Sequence, residues 1–292
     1  MDSKERISIV IVSDNAFMVM LATLIKSIEV NHKSDEIIDF YIVEDHVTKT
    51  NREKLLASVS SPFINFTFYK MNDILPVGRE QLVDKSSFPL NVYVRFFVPD
   101  FIPQHISKIL YLDADMVVNA DISELWNIDI GQYVIGAAID RAKVVSSTWA
   151  GIPNYKELGL HADTKYFNAG LQIINAFKWR SENITERLMK CKLDNEAFLK
   201  FNDQYCLNVV FANNWYELSS KWNCFPDSTE PDPNLIHFIG DKPIYTTYTF
   251  NEDYKNRFYY YLSMTKWRGF KALSGNRLRI NKLINKIRKK LV

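Results

Sequence analysis

Cysteine is scarce: Cys191, Cys206 and Cys224 are the only three in 292 residues. No two are spaced as CxxC, which argues against a disulfide framework and a zinc site. A reducing, cytosolic setting is the expectation. Long apolar runs are also missing. The N-terminal run "ISIVIV" is broken by Ser13, Asp14 and Asn15, so it reads as a strand rather than a secretion signal. No window approaches the roughly 18 apolar residues of a membrane span. Nine glycines and ten prolines, with 47% hydrophobic and 24% charged residues, exclude fibrous and disordered classes. Acidic residues stop at Asp253. From Tyr254 onward there are 12 basic side chains and none acidic, so against an overall net charge of +2 the first 253 residues carry −10. A basic tail on an acidic body bears on partners, not on fold.

What is present has the rhythm of an α/β chain. "ISIVIVS" (7–13) does not alternate and reads as a strand buried on both faces. A helix is expected from about Phe17 to Val30, a second strand over 37–43, and a helix over 48–60 with Thr48 as its cap. A third strand follows over 64–70, and "YVIGAAID" (133–140) reads as another, closing on Asp140. Strands separated by helices predict βαβ units and a mostly parallel sheet. Ligands then sit beyond the carboxyl ends of the strands.

The stretch "KILYLDADMVVNADISELW" (108–126) puts Asp113 and Asp115 directly after an apolar run. Aspartate is depleted in strands, and an unpaired charge near a core is costly. In an extended segment residues i and i+2 point the same way, so both carboxylates can converge on one ion. Ala114 between them is small enough to let a ligand approach the backbone. Carboxylates suit hard cations, Mn²⁺ or Mg²⁺, which keep positions for phosphate oxygens. Capping is the alternative role for the pair, but Asp121 and Ser123 can cap the following helix themselves.

Six stretches in order resemble the retaining glycosyltransferases of family 8, typified by bacterial lipopolysaccharide α-galactosyltransferases and glycogenin. They are "IVSDNAFMVMLATLIKSI", "YVRFFVPDFIP", "YLDADMVV", "YFNAGLQIIN" (166–175), "FNDQYCLNVVF" (201–211) and "HFIGDKP" (237–243). The resemblance spans about residues 7–245 and implies a GT-A fold over residues 1–250. It implies Mn²⁺ (or Mg²⁺) as cofactor, held by Asp113, Asp115 and His237. It places Val12, Ser13 and Asp14 at the nucleoside end of a UDP-hexose. Arg95, Ala114, Gly240 and Lys242 fall near the donor's charged groups. Asp140, Asn168 and Ala169 would surround the donor sugar. Gln204 is expected nearest the anomeric carbon, with Asp203 beside it as the alternative nucleophile. Two positions depart from the family pattern. Ala16 stands where asparagine is usual, with Asn15 beside it. "GDKPIY" is one residue shorter than usual, with Ile244 in place of tryptophan.

The implied reaction moves galactose or glucose from a UDP-sugar to a hydroxyl of a cell-surface glycan or lipid-linked saccharide, keeping the anomeric configuration. "QLVDKSSFPLNVY" (81–93) is expected on the acceptor side, from its position. In the segment 251–292, Leu278, Ile280, Leu283, Ile284, Ile287 and Leu291 form a helical stripe among basic residues. This favours peripheral attachment to the anionic inner face of a membrane, with a solvated, frayed end as the alternative. Nucleic acid is not expected, because no aromatic groove or motif accompanies the charge. Three rivals remain open. "LDADMV" fits the start of haloacid-dehalogenase phosphatases, although that motif normally lies on the first strand. A non-catalytic sugar-nucleotide-binding protein would keep the same residues. A self-glucosylating primer is the third.

Overall fold

The structure is a computed structural model that describes residues 5–75, 90–199 and 201–274. Its first half is β1 (Arg6–Asp14), α1 (Met18–Asn31), β2 (Ile37–Asp45), α2 (Lys49–Leu56), β3 (Ile64–Lys70) and α3 (Met71–Ile74), then a 3₁₀ segment (Leu90–Phe97) and α4 (Val98–Phe101). There follow β4 (Lys108–Asp113), β5 (Met116–Val118), α5 (Ile122–Trp126), β6 (Ile135–Ala137), β7 (Ile139–Val144), β8 (Lys165–Phe167) and β9 (Leu171–Asn175). The chain continues through α6 (Ala176–Ser181), α7 (Ile184–Asp194), α8 (Asn202–Val210), β10 (Tyr216–Glu217), a 3₁₀ turn (Ser220–Asn223), β11 (Leu235–His237) and α9 (Glu252–Ser263).

The central sheet runs β10-β6-β9-β4-β1-β2-β3. β1, β2, β3 and β4 are mutually parallel, and β10 is parallel to β6. β9 runs antiparallel to both β4 and β6, the exception to the parallel expectation. One layer of core, built around α1 and α9, covers one face; a second, built around α7, α8 and the 3₁₀ segment, covers the other. β1 is therefore apolar without alternation, because both its faces are covered. β3 lies at the edge and is only half-buried.

Local signals end the elements as their chemistry dictates. Thr48 caps α2 by accepting from Asn51 N. Asp121 caps α5 by accepting from Ser123 N. The expected strand over 133–140 breaks at Ala138: β6 stays in the central sheet, while β7 leaves to pair with β8. Asp140 thus sits inside a two-stranded ribbon, not at the end of a central strand. In the C-terminal segment, α9 buries Tyr254, Phe258, Tyr261 and Leu262 against the α1 layer, and Trp267 joins them. The helical stripe beyond residue 274 and most of the 81–93 segment lie outside the described residues.

Candidate active site

The paired aspartates straddle a tight turn rather than lying along one extended strand. Asp113 ends β4, Ala114 and Asp115 turn, and β5 begins at Met116. Convergence comes from that turn and from what packs beside it. β5 pairs antiparallel with β11, which sets His237 opposite Met116. Phe238 N donates to the Asp115 carbonyl at 2.9 Å, locking the register. His237 Nε2 then lies 3.3 Å from Asp115 Oδ1 and 3.8 Å from Asp113 Oδ2. One ligand atom from each of the three residues falls within 4.8 Å of the others, the only such group among the described residues. Ala114 is buried in the core, so its small side chain serves packing.

Two cations serve this centre. Lys242 Nζ bonds Asp115 Oδ2 and donates to the Phe238 carbonyl at 2.8 Å. The short "GDKPIY" spacing therefore still delivers the lysine. Gly240 turns with φ +73°, a conformation that favours glycine, and its missing side chain faces open space. Ile244 is buried in the core at the position where tryptophan is usual. Arg95 is held by its 3₁₀ segment, with Nε near the Val92 carbonyl. Its guanidinium donates to Asp113 Oδ1 at 3.0 Å, to the Ala169 carbonyl at 2.5 Å and to Asp203 Oδ2 at 2.8 Å. The Tyr111 ring stacks 4.8 Å from it. Arg95 thus joins the two acidic groups of the site.

These charges shift one another. Burial pushes the Asp115 carboxyl up, but the adjacent Lys242 ammonium outweighs it and holds the group well below the usual carboxylate range. Burial also pushes Asp203 up, and here it prevails over Arg95, leaving the group at about 6. Burial opposes the Arg95 charge, yet Asp113 and Asp203 raise its value above that of a free guanidinium.

A second group lies beside the first. α8 opens with Asp203 and Gln204 in its first turn. Gln204 Oε1 accepts from Ala169 N at 3.0 Å and from Asn168 Nδ2 at 3.3 Å. Its Nε2 donates to Asp140 Oδ2 at 3.3 Å. Asp140, Asn168, Ala169, Asp203 and Gln204 are therefore brought together, as the motifs require. Four carboxylates face two fixed cations across the site.

The β1 turn stands next to these groups through Val12, which is opposite Asp113 in the β1–β4 register. Ser13 is buried and donates to the Asp14 carbonyl at 3.1 Å. Asp14 Oδ1 accepts from Ala16 N and Phe17 N at 2.8 and 2.9 Å, which closes the turn ahead of α1. Asn15 stands beside Ala16, the position where the family's asparagine is missing. Its Oδ1 is committed to Thr48 N and Asn51 Nδ2.

Two residues escaped the sequence analysis. Gly170 links β8 to β9 and accepts from Asp113 N at 2.8 Å. A Cβ there would lie 2.3 Å from His237 Cε1 and 2.7 Å from Asp113 Oδ2. A glycine at the mouth of an apolar strand is a signal of close backbone approach. Asn223 bonds His237 Nδ1 at 2.9 Å. Nothing in its local sequence marks it.

The model of the family described as glycosyl transferase family 8 matches residues 8–243. The chain belongs to that family. General stress protein A of Bacillus subtilis is 26% identical over 288 residues, covering 91% of this chain and 96% of that protein. The probable glycosyl transferase Gly of Streptococcus gordonii is 28% identical over 239 residues, 78% of this chain but 31% of that longer protein. Among solved structures, the galactosyltransferase LgtC, in complex with donor and acceptor sugar analogues, superposes with a TM-score of 0.72 at 24% identity. That match covers 90% of this chain and 99% of LgtC, and it shows the shared fold. This family 8 chain is a glycosyltransferase with a GT-A architecture, and the phosphatase rival falls away.

The donor set fits a divalent cation. Two carboxylates and an imidazole nitrogen converge, and negative charge exceeds positive around them. Asp113, Asp115 and His237 are the residues that would hold it.

Proposed function

We propose that this chain transfers a hexose from a UDP-sugar to a saccharide hydroxyl, with the anomeric configuration kept and with Mn²⁺ bound at Asp113, Asp115 and His237. The observation that carries the reading is the convergence of those three residues beside Asp140, Asp203 and Gln204 at the carboxyl end of β4. The donor analogue bound by LgtC supports a sugar-nucleotide substrate. When bound, the cation supplies Lewis-acid neutralisation of the departing diphosphate.

The chain's own residues do the rest. Lys242 adds a point charge beside Asp115, aimed at the leaving group. Arg95 orients Asp113 and Asp203 together and draws the Ala169 carbonyl into the same frame. Asp140 and Gln204 present polar atoms to the sugar. A glutamine is a poor nucleophile, so Gln204 steadies the cationic carbon of the transition state and does not attack it. Asp203 is tied to Arg95, which lowers its nucleophilicity and favours attack by the acceptor on the same face that the diphosphate leaves. The diphosphate then accepts the acceptor's proton. A glycosyl adduct trapped on Asp203 by mass spectrometry would overturn the same-face route.

The acceptor is proposed to be a saccharide of the cell-surface or lipid-linked class, worked on at the cytoplasmic face of the membrane. No helix among the described residues is long and apolar enough to cross a membrane. The basic, apolar stretch after residue 274 supplies the contact with anionic lipid. The deciding experiment measures UDP release from a panel of UDP-hexoses with Mn²⁺ and with chelator. Turnover confined to one or two UDP-sugars and abolished by chelator is expected. Turnover that ignores chelator, or the absence of turnover with tight UDP-sugar binding, would refute the reading.

A further inference from the structure

We propose that Asn223 sets the tautomer of His237, keeping the proton on Nδ1 so that the Nε2 lone pair is left for a metal ion. The proposal rests on the metal reading of the Asp113–Asp115–His237 cluster.

The polarity of the amide chain follows from its ends. Gly170 N is a donor only, and it lies 3.1 Å from one amide atom of Asn168, which must be Oδ1. The other end agrees: the Asp140 carboxylate accepts at 2.9 Å from the remaining Asn168 atom, Nδ2. Asn223 approaches the same Asn168 oxygen at 3.1 Å, so the approaching atom is its NH₂ group. The opposite atom of Asn223 is then its carbonyl oxygen, 2.9 Å from His237 Nδ1. A carbonyl oxygen only accepts, so Nδ1 carries the hydrogen. A neutral imidazole has one N–H, which leaves a bare lone pair on Nε2. That nitrogen lies 3.3 Å from Asp115 Oδ1 and 3.8 Å from Asp113 Oδ2. A lone pair facing two carboxylate oxygens is repulsive by itself and is satisfied by a cation among the three. Asn168, Asn223 and His237 are all buried, so water does not replace any member of the chain.

Asn168 is correspondingly a positioning residue. Its oxygen holds two donors and its NH₂ group holds Asp140 and Gln204, so it links the sugar-side carboxylate to the metal-side histidine.

The test compares direct Mn²⁺ binding in Asn223→Leu and Asn223→Asp. The first removes the acceptor at similar volume; the second keeps an acceptor on Nδ1–H. Asn223→Leu should weaken binding about 10–100-fold, and Asn223→Asp should retain most of the affinity. Equal loss in both, or loss in neither, overturns the proposal. The wild-type protein supplies a second measurement that needs no substitution. Long-range ¹H–¹⁵N correlation of the neutral His237 ring, metal-free, should show the proton on Nδ1. A proton on Nε2 overturns the proposal. Wild-type protein that fails to bind Mn²⁺ would refute the metal reading, and the nitrogen spectrum alone would then decide whether Asn223 sets the tautomer.

Discussion

Replacing Gly170 by alanine tests the site with one methyl group. The added carbon would sit 2.3 Å from His237 Cε1, 2.7 Å from Asp113 Oδ2 and 3.1 Å from Asn168 Oδ1. Carbon atoms pack best at about 3.5–4.0 Å, so the ring or the β8–β9 link must shift by more than ~1 Å. Gly170 is not in the left-handed region, so the backbone itself would accept alanine. The burden is purely steric. His237 is 2% exposed and tied to Asn223, so it has little room to retreat. Overpacking of this kind costs about 1–3 kcal/mol of stability. A misplacement of ~1 Å at a reacting centre costs about 100-fold in rate. Mn²⁺ titration, thermal unfolding and UDP release should therefore all move: affinity down by tenfold or more, the unfolding midpoint down by a few degrees, and turnover down about 100-fold. A Gly170→Ala protein with wild-type metal affinity and turnover would refute the packing argument and the placement of His237 with it.

Arg95→Lys should fail to replace the guanidinium, because a single ammonium cannot span Asp113, Asp203 and the Ala169 carbonyl. Breaking this buried network is expected to cost about 3–5 kcal/mol in chemical denaturation, and a loss below 1 kcal/mol would contradict it. Asp203 sits at about 6, above the ordinary carboxylate value, so its protonated form favours the fold. Its contribution is full below about pH 4 and is lost as pH rises through about 6. The stability difference between wild type and Asp203→Asn should change across that window; a difference independent of pH would remove the assignment. Alanine at both Asp113 and Asp115 should abolish metal-dependent UDP release while the protein remains folded by circular dichroism, and retained turnover would sink the metal centre. Deleting residues 275–292 should leave UDP-sugar turnover intact and abolish flotation with acidic vesicles. Unchanged flotation would dismiss the membrane contact.

Much of the fold was legible along the chain. β1 and β2 are continuous or near-continuous apolar runs between polar breaks, β3 alternates over its first half as an edge strand can, and caps such as Thr48 and Asp121 are local chemistry. The break at Ala138 was not legible. "YVIGAAID" has one apolar character throughout, but it serves two sheets because β9 claims only its first part. Convergence of Asp113 and Asp115 was anticipated for the wrong local reason, since a turn and not strand alternation brings them together.

The sequence by itself determined which residue types could carry the chemistry: paired carboxylates after a buried strand, a late histidine and lysine, and an Asp-Gln pair opening a helix. These are near-neighbour patterns, and near neighbours share one element's geometry. Tertiary structure alone decided that β11 would lay His237 beside a turn more than a hundred residues earlier, that Gly170 would leave room for its ring, and that Asn223 would face its Nδ1. Contacts between distant segments are set by how layers pack, and packing of that kind has no period along the chain to be read.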